Sequence, residues 1–301
     1  MLVGIDHGER GEQSIEGFEA WITDEIKQFV RDDPDNRLKR LDNSAIFDEP
    51  LVGFVAGDDD IFMQLKQVIG PFHLTPGEAL GKSAERNGHT DVDELGVISY
   101  VLPISDQTRK ENARAKERPS ERWANTRLFG EEFSRKLQSH IVALLTERGF
   151  QAVAPELDDE LFRVFMDERV GLTSVWSQRH IAFSAGLGTF GLSDGLITSV
   201  GKAHRVGSVV VNHRLDSSER TDDIHRDCLF YRGIDCQTCR KRCPVDAIDD
   251  DGHDKKACSE FVFKQIPIIK ENYGIDIYGC GLCQTNVPCG KGVPKSAKGF
   301  D

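Results

Sequence analysis

The stretch CLFYRGIDCQTCRKRCP, residues 228–244, decides the organisation of this chain. It places four cysteines close together and ends in a Cys-Pro pair. None of the eight cysteines in the 301 residues precedes Cys228. The remaining four follow at Cys258, Cys280, Cys283 and Cys289. This crowding predicts two domains, a cysteine-free domain over residues 1–222 and a specialised module over residues 223–301.

Three chemistries compete for the eight thiols. Disulfides need an oxidising compartment, but Met1–Gln13 is acidic and lacks the basic-then-apolar run of a secretory or twin-arginine signal. We therefore expect a cytoplasmic protein with reduced thiols. A zinc site could use the pairs Cys236/Cys239 and Cys280/Cys283, but it leaves four cysteines without a role. Iron–sulfur chemistry accounts for all of them, because two cubane clusters take eight thiolates.

The end of the quoted stretch resembles bacterial two-cluster ferredoxins, in which Cys, three residues and Cys-Pro close the motif and the last Cys ligates the other cluster. This ferredoxin-like resemblance implies two 4Fe-4S clusters with crossed ligands. One cluster would use Cys228, Cys236, Cys239 and Cys289, and the other Cys243, Cys258, Cys280 and Cys283. The chain departs from the ferredoxin pattern in two places, since seven residues follow Cys228 and Pro288 precedes Cys289.

The cysteine-free part has the periodicity of alternating strands and helices, which predicts an α/β or α+β domain. Strands are expected at Leu51–Ala56, Leu95–Ile104, Phe150–Ala154 and Gly207–Asn212, and helices at Ser14–Val30, Asp60–Ile69 and Trp123–Gly149. The polar segment Asp106–Arg122 fits a solvated loop or helix.

Charge and hydropathy exclude some partners. The chain has 38 Lys plus Arg against 50 Asp plus Glu, a net charge of -12, which is opposite to the charge of a nucleic-acid-binding surface. Nucleic acid is therefore an unfavourable partner. No stretch approaches the roughly 20 apolar residues of a membrane span, so we expect no membrane insertion.

The segment WSQRHIAFSAGLGTFGLSDGLITSVGKAHRVGSVVVN, residues 176–212, is rich in glycine. Gly186, Gly188 and Gly191 satisfy the pattern GxGxxG of dinucleotide sites, but helix-like Arg179–Ser184 precedes them where that fingerprint demands a strand. Two alternatives remain. The glycines form a simple turn, or they let the backbone lie flat against a large planar cofactor.

Together, the AGLG run at Ala185–Gly188, the strand about twenty residues later and the double-cluster module resemble the catalytic core shared by epoxyqueuosine reductases and reductive dehalogenases. The resemblance covers roughly Leu95–Cys289. It implies a nitroreductase-like domain that holds a corrinoid such as cobalamin base-off, followed by the ferredoxin-like domain with one cluster next to the ring. The implied cofactor-binding residues are Ala185, Gly186, Leu187, Gly188, Gly191, His204 and Arg205.

Reductive chemistry at a corrinoid needs a proton donor. Phe165–Asp167 resembles the Phe-Val-Asp of epoxyqueuosine reductases, which makes Asp167 a candidate acid and, alternatively, a surface or capping residue. His180 is the second catalytic candidate because a histidine titrates near neutral pH, although a histidine on a helix face is more often structural.

These observations favour a cytoplasmic cobalamin-dependent iron–sulfur reductase that performs dehalogenation-like reductive elimination on a small organic substrate. One alternative is an electron-transfer or corrinoid-handling protein. A second is epoxyqueuosine reduction on tRNA, against which we count the acidic charge and the absence from these 301 residues of that family's helical-repeat C-terminal domain. The basic strings His225/Arg226 and Arg240–Arg242 predict a docking face for a ferredoxin or flavodoxin-type electron donor.

Overall fold

The computed structural model describes residues 17–86 and 94–296, so the expectation drawn from Met1–Gln13 lies outside the described residues. Within these ranges the α-helices are α1 (Phe18–Asp32), α2 (Ile61–Val68), α3 (Pro76–Arg86), α4 (Asp106–Arg114), α5 (Glu121–Glu147), α6 (Gln178–Ser184), α7 (Thr238–Lys241) and α8 (Lys255–Tyr273). The strands are β1 (Leu51–Ala56), β2 (Gly96–Pro103), β3 (Ala152–Val153), β4 (Val164–Asp167), β5 (Gly171–Ser174), β6 (Thr189–Phe190), β7 (Leu196–Ile197), β8 (His204–Val211), β9 (Ile248–Asp249) and β10 (Gly252–His253).

A four-stranded sheet of order β1-β2-β8-β3 organises the larger part of the chain. All its neighbouring strands run antiparallel, which makes the fold α+β and decides between the two expected classes. The central strand β2 is buried along its whole length, because it lies between two strands and under helices on both faces.

The two faces of the sheet carry separate hydrophobic cores, since successive strand side chains point to opposite sides. Ile98 and Tyr100 of β2 pack into a core with α1 and α5. Val97 and Val210 pack into a second core with α2, α3 and α6. The sheet is thus the middle layer of three, and its ends are free to carry a functional site.

Strongly periodic segments fold as expected. The strand at Leu51–Ala56 is confirmed, and the expected strand at Leu95–Ile104 and helix at Trp123–Gly149 form with shifted ends as β2 and α5. The helix expected from Ser14 is described from Phe18. The strand expected from Gly207 begins earlier, at His204, because its pairing with β2 continues to the His204–Pro103 pair. The polar segment after Asp106 forms α4.

The cysteine module lies against the start of α5 and against the turn before β8. Gly281, at φ 68°, lets Trp123 approach so closely that a Cβ there would lie 2.0 Å from Cζ2 of the indole. Gly201 similarly meets the backbone of Gly290, and Lys202 N donates to Cys289 O at 3.1 Å. Among the described residues, no helix is both long enough and apolar enough to cross a membrane.

Candidate functional site

The eight cysteines divide between two cavities. Four line a small cavity of about 20 Å³; this first cysteine group is Cys228, Cys236, Cys239 and Cys289. Four line a larger cavity of about 250 Å³; this second cysteine group is Cys243, Cys258, Cys280 and Cys283. These are the same two sets that the ferredoxin resemblance implies, and their ligation of two clusters stays a prediction.

Burial favours the neutral form of several of these thiols. It raises the pKa of Cys239 to about 11, of Cys258 to about 11 and of Cys280 to about 12. Thiolates are the metal-binding form, so the thiols lose their protons only when a positive centre binds. The groups therefore fit a cationic iron core better than free reactive thiols.

The cysteines are not arranged around a single ion. Within residues 17–86 and 94–296, no three His, Cys, Asp or Glu side chains gather as ligands for one metal ion. Zinc would hold each sulfur at about 2.3 Å and so draw all four sulfurs together. A cubane cluster spreads its four thiolates over four irons and needs a wider set. The assignment of the two groups to clusters or to zinc stays a prediction.

Lys202 places a buried positive charge beside the thiols. Its side chain lines the cavity of the first cysteine group, the residue is 2% exposed, and Nζ donates to Ser193 Oγ at 2.8 Å. It forms no ion pair with any carboxylate of the described residues, whereas thiols of both groups raise its pKa against the opposing effect of burial. A buried ammonium without an anion is costly. The site therefore fits an anionic occupant such as a thiolate-bound cluster.

A central cavity of about 590 Å³ adjoins both groups. Its volume is in the range of small-molecule and cofactor sites. Part of the cavity wall is aromatic and is formed by Trp176, Phe162 and Phe190. The residues that it shares with the cavity of the second cysteine group are Arg179, Gly195, His204, Arg205 and Gln284. Lys202 lines both the central cavity and the cavity of the first group.

Two neutral histidines line the central cavity. Burial, with the Arg179 charge nearby, lowers the pKa of His180 to about 3, and burial lowers the pKa of His204 to about 4. His204 Nε2 donates to Leu196 O at 2.8 Å, so Nδ1 is left as the acceptor. That Nδ1 is buried and has no hydrogen-bond partner in the described part of the chain. It fits a ligand that donates a hydrogen bond, such as the amide groups of a corrinoid.

Arg205 gives the cavity a positive wall. Its guanidinium lies 3.6 Å from Glu131, whose carboxylate is already held by Arg127 at 2.9 Å. Burial lowers the pKa of Arg205 to about 10, which leaves it charged at neutral pH. Since Glu131 is shared between two guanidinium groups, the local charge is positive and suits an anionic group of a ligand.

Glu156 is a cavity residue that the sequence did not single out. Its Oε2 accepts from Gln138 Nε2 at 3.1 Å and from Gln178 Nε2 at 2.9 Å, and Ser208 in turn holds Gln178. Burial raises the pKa of Glu156. It follows a short strand without any motif, so no local signal marks it. A carboxyl that holds its proton to higher pH is suited to donate it.

Asp167, the predicted acid, is not among the residues that line the central cavity. It ends β4, where Oδ1 accepts from the backbone N–H groups of Arg169 at 2.9 Å and Val170 at 3.1 Å. Asp167 therefore caps the turn between β4 and β5, which is the capping alternative. Its role as an acid stays an untested prediction with no support from this geometry.

The predicted glycine segment is divided. Ala185 is buried, Gly191 lines the cavity of the first cysteine group, and Gly186, Leu187 and Gly188 line a separate cavity of about 550 Å³. A Cβ on Gly186 would lie 2.2 Å from Glu219 O, and one on Gly188 would lie 2.4 Å from Ile197 O. Close approach of other backbone therefore explains these glycines, as the turn alternative states. None of these five residues lines the central cavity.

The predicted docking strings are mostly engaged within the protein. Arg242 turns inward and donates to Ala115 O at 2.8 Å and Leu282 O at 3.2 Å. Arg226 pairs with Asp227 and Arg240 with Asp250, while Lys241 is exposed. The expectation of a continuous basic face over Arg240–Arg242 is thus wrong for Arg242, because the buried carbonyl groups around it need a donor.

No protein-family model and no curated protein matches the chain. Similar solved structures include an epoxyqueuosine reductase bound to an epoxyqueuosine-modified tRNA-Tyr stem loop, at 14% identity and a TM-score of 0.49, covering 93% of this chain and 68% of that one. The epoxyqueuosine reductase of Streptococcus thermophilus has 15% identity, a TM-score of 0.47 and coverage of 91% and 67%.

A catabolic reductive dehalogenase in complex with 3-bromo-4-hydroxybenzoic acid is similar at 13% identity and a TM-score of 0.47, covering 81% of this chain and 30% of that one. These structures come from the two groups whose motifs the sequence resembles.

Proposed function

We propose that this chain is an iron–sulfur oxidoreductase that holds a 4Fe-4S cluster in each cysteine group and a corrinoid in the central cavity, where it reduces a small organic substrate. One observation carries the proposal. Two separate sets of four cysteines line two cavities, and both cavities share residues with one larger cavity. An electron-transfer protein without a substrate has no need of that third cavity.

The cysteine groups and Lys202 support the clusters. All eight thiols are free, burial raises the pKa of Cys239, Cys258 and Cys280, and Lys202 needs an anion. A cluster with four thiolates supplies that anion. We propose the domain boundary near residue 222, in the irregular chain between β8 and α7.

The central cavity supports a bound corrinoid through its aromatic wall and the unpartnered Nδ1 of His204. His204, Arg205 and Trp176 would hold the group. Bound clusters and corrinoid supply one-electron chemistry that side chains cannot perform. We do not assign Gly186 and Gly188 to this site, because they line a different cavity.

The protein's own residues manage charge and protons. Replacing a leaving group by hydrogen needs an electron pair and a proton and releases the leaving group as an anion. We assign the proton to Glu156, which burial keeps protonated to higher pH. Arg205 stabilises an anionic group of the substrate or of the corrinoid, and the neutral His180 can hydrogen-bond without adding charge. A ferredoxin or flavodoxin-type protein would supply the electrons.

Anaerobic reconstitution tests the clusters. We expect about eight iron and about eight sulfide per chain, because each cubane holds four of each. Cys239→Ser and Cys258→Ser each remove a ligand from a different group, so each variant should lose about half of the iron. Uptake of a single zinc ion, or loss of all iron from either variant with the fold intact, would contradict two independent sites.

Anaerobic incubation with cobalamin tests the corrinoid. The reconstituted protein should retain it through gel filtration and show the electron paramagnetic resonance signal of base-off Co(II) beside the signals of reduced clusters. Arg205→Met should weaken retention, whereas Lys241→Met, at the surface, should not. A protein with both clusters that retains no corrinoid would be an electron-transfer protein, and this part of the proposal would fail.

A further inference from the structure

Lys202 stands apart from the other cations near the cysteines. Arg242 lies near the second cysteine group, but its guanidinium donates to three backbone carbonyl groups. Lys241 is exposed on α7. Lys202 is buried in the wall of the first cysteine group, and its ammonium donates only to the neutral Ser193 hydroxyl. No carboxylate of the described residues pairs with it, and the thiols that act on its charge are Cys289, Cys239 and Cys228 of the first group and Cys283 of the second.

The backbone holds Lys202 in this place. Its N–H donates to Cys289 O at 3.1 Å, which ties the lysine to a member of the first cysteine group. The preceding Gly201, at φ 95°, lies so close to Gly290 that a Cβ would meet its carbonyl oxygen at 2.5 Å. Lys202 is 2% exposed and its ammonium is bonded to Ser193, so the protein keeps a positive charge at the first group.

We propose that Lys202 is the counter-ion of the cluster in the first cysteine group and raises the reduction potential of that cluster more than that of its neighbour. The inference rests on the proposed function, because it needs the two clusters. It assigns Lys202 a positioning role for electrons and no part in bond breaking.

The effect follows from the charge balance. Reduction adds one electron and one negative charge to a cluster, and no bond forms or breaks. A fixed positive charge favours the more negative state, and a buried site is screened little by water or salt. Net charge is among the factors that set the potential of iron–sulfur clusters. Lys202 therefore raises the potential of the cluster in the first group above the value that this cluster would have without the charge.

The test compares Lys202→Met with the wild-type protein, both reconstituted and titrated anaerobically with dithionite while electron paramagnetic resonance follows the reduced clusters. In Lys202→Met we expect the midpoint potential of one cluster to fall by at least about 59 mV, which is a tenfold change in the equilibrium constant of a one-electron reduction. The midpoint potential of the other cluster should move less. Lys202→Arg keeps the charge and should stay near wild type. Lys241→Met removes an exposed charge between two cysteines and should change neither potential.

The outcomes separate the inference from the proposed function. If wild-type protein takes up no clusters, the proposed function fails. If both clusters form in Lys202→Met with unchanged potentials, only the role of Lys202 fails. If Lys202→Met loses iron from one group while Lys202→Arg keeps it, the anionic cluster needs the charge, as proposed. If Lys202→Met and Lys202→Arg both lose the iron of that group, the shape of the lysine side chain matters, and the counter-ion role is overturned.

Discussion

The amide of Asn112 joins α4 to the cysteine module through Thr285. Asn112 Nδ2 donates to Thr285 Oγ1 at 3.2 Å, and Oδ1 accepts from the backbone N–H of Ser120 at 2.9 Å, where α5 begins. Both Asn112 and Thr285 are buried. A single side chain thus couples the helix layer of the sheet domain to the segment that carries Cys280 and Cys283.

Replacing Asn112 with Ala should lower the free energy of unfolding by about 1–3 kcal/mol, because buried donors and acceptors lose their partners. Denaturant titration measures this change. Gln107→Ala on the same helix is the control, since Gln107 bonds Asp42 at the surface and its loss should cost within about 0.5 kcal/mol. Equal effects from the two variants would show that the bond to Thr285 does not couple the two parts.

Gly281 and Gly233 form a matched pair with positive φ, at 68° and 73°. Ala at either position strains the backbone by about 1–2 kcal/mol. Only at Gly281 does the new Cβ also meet Trp123, at 2.0 Å, whereas Gly233 has no neighbour within 4 Å. Gly281→Ala should therefore cost about 1–3 kcal/mol more than Gly233→Ala in unfolding experiments. A cost no larger than that of Gly233→Ala would refute the close packing of Trp123.

His73 makes stability depend on pH. It is fully buried, its Nε2 accepts from Ser177 N at 3.1 Å, and burial lowers its pKa from 6.5 to about 4. Between these values the unfolded chain binds a proton that the folded chain does not. The stabilisation is therefore complete above pH 6.5 and is lost as the pH falls toward 4.

His73→Gln keeps an acceptor for Ser177 and removes the titrating group. Over this pH range the free energy of unfolding of the variant should fall less steeply than that of wild type. The two slopes should differ by about 1.4 kcal/mol per pH unit. Unfolding midpoints between pH 4 and 7 measure the slope. If the slopes of variant and wild type coincide, His73 stays accessible to protons in the folded protein.

Glu156 and Asp167 are rival proton donors. Glu156→Gln should lower the rate at which the enzyme reduces its substrate by about 10²–10⁴-fold, which is the usual contribution of a positioned acid. Asp167→Asn keeps its turn-capping oxygen, so its rate should stay near wild type. Infrared titration gives a second readout. A protonated carboxyl group gives an infrared band that disappears when the group loses its proton. The band that persists to a higher pH than the band of an ordinary Glu should be missing in Glu156→Gln and present in Asp167→Asn. The opposite pattern would reinstate Asp167.

Local pattern was sufficient for the elements whose side chains repeat along one segment. β1 follows from a short apolar run, β2 from its β-branched residues, and α5 from apolar residues at the period of a helix, because these signals lie within each segment. The short strand β3 forms within the expected Phe150–Ala154, but its pairing with β8 depends on residues far along the chain. The local hairpin of β4 and β5 carries a pattern too weak to predict. Local sequence patterns likewise could not predict the order of the strands in the sheet or their antiparallel direction.

The sequence by itself determined that eight thiols are concentrated in one module, whose Cys-Pro ending resembles two-cluster ferredoxins, and that the cysteine-free part mixes helices and strands. Only the tertiary structure decided what surrounds each group. It put Glu156 and His204 in the central cavity, Asp167 outside it, the glycines against other backbone, and Lys202 beside the first cysteine group. Desolvation and Coulomb energies depend on neighbours from distant parts of the chain, so proton affinity and charge balance follow from the fold and not from spacing.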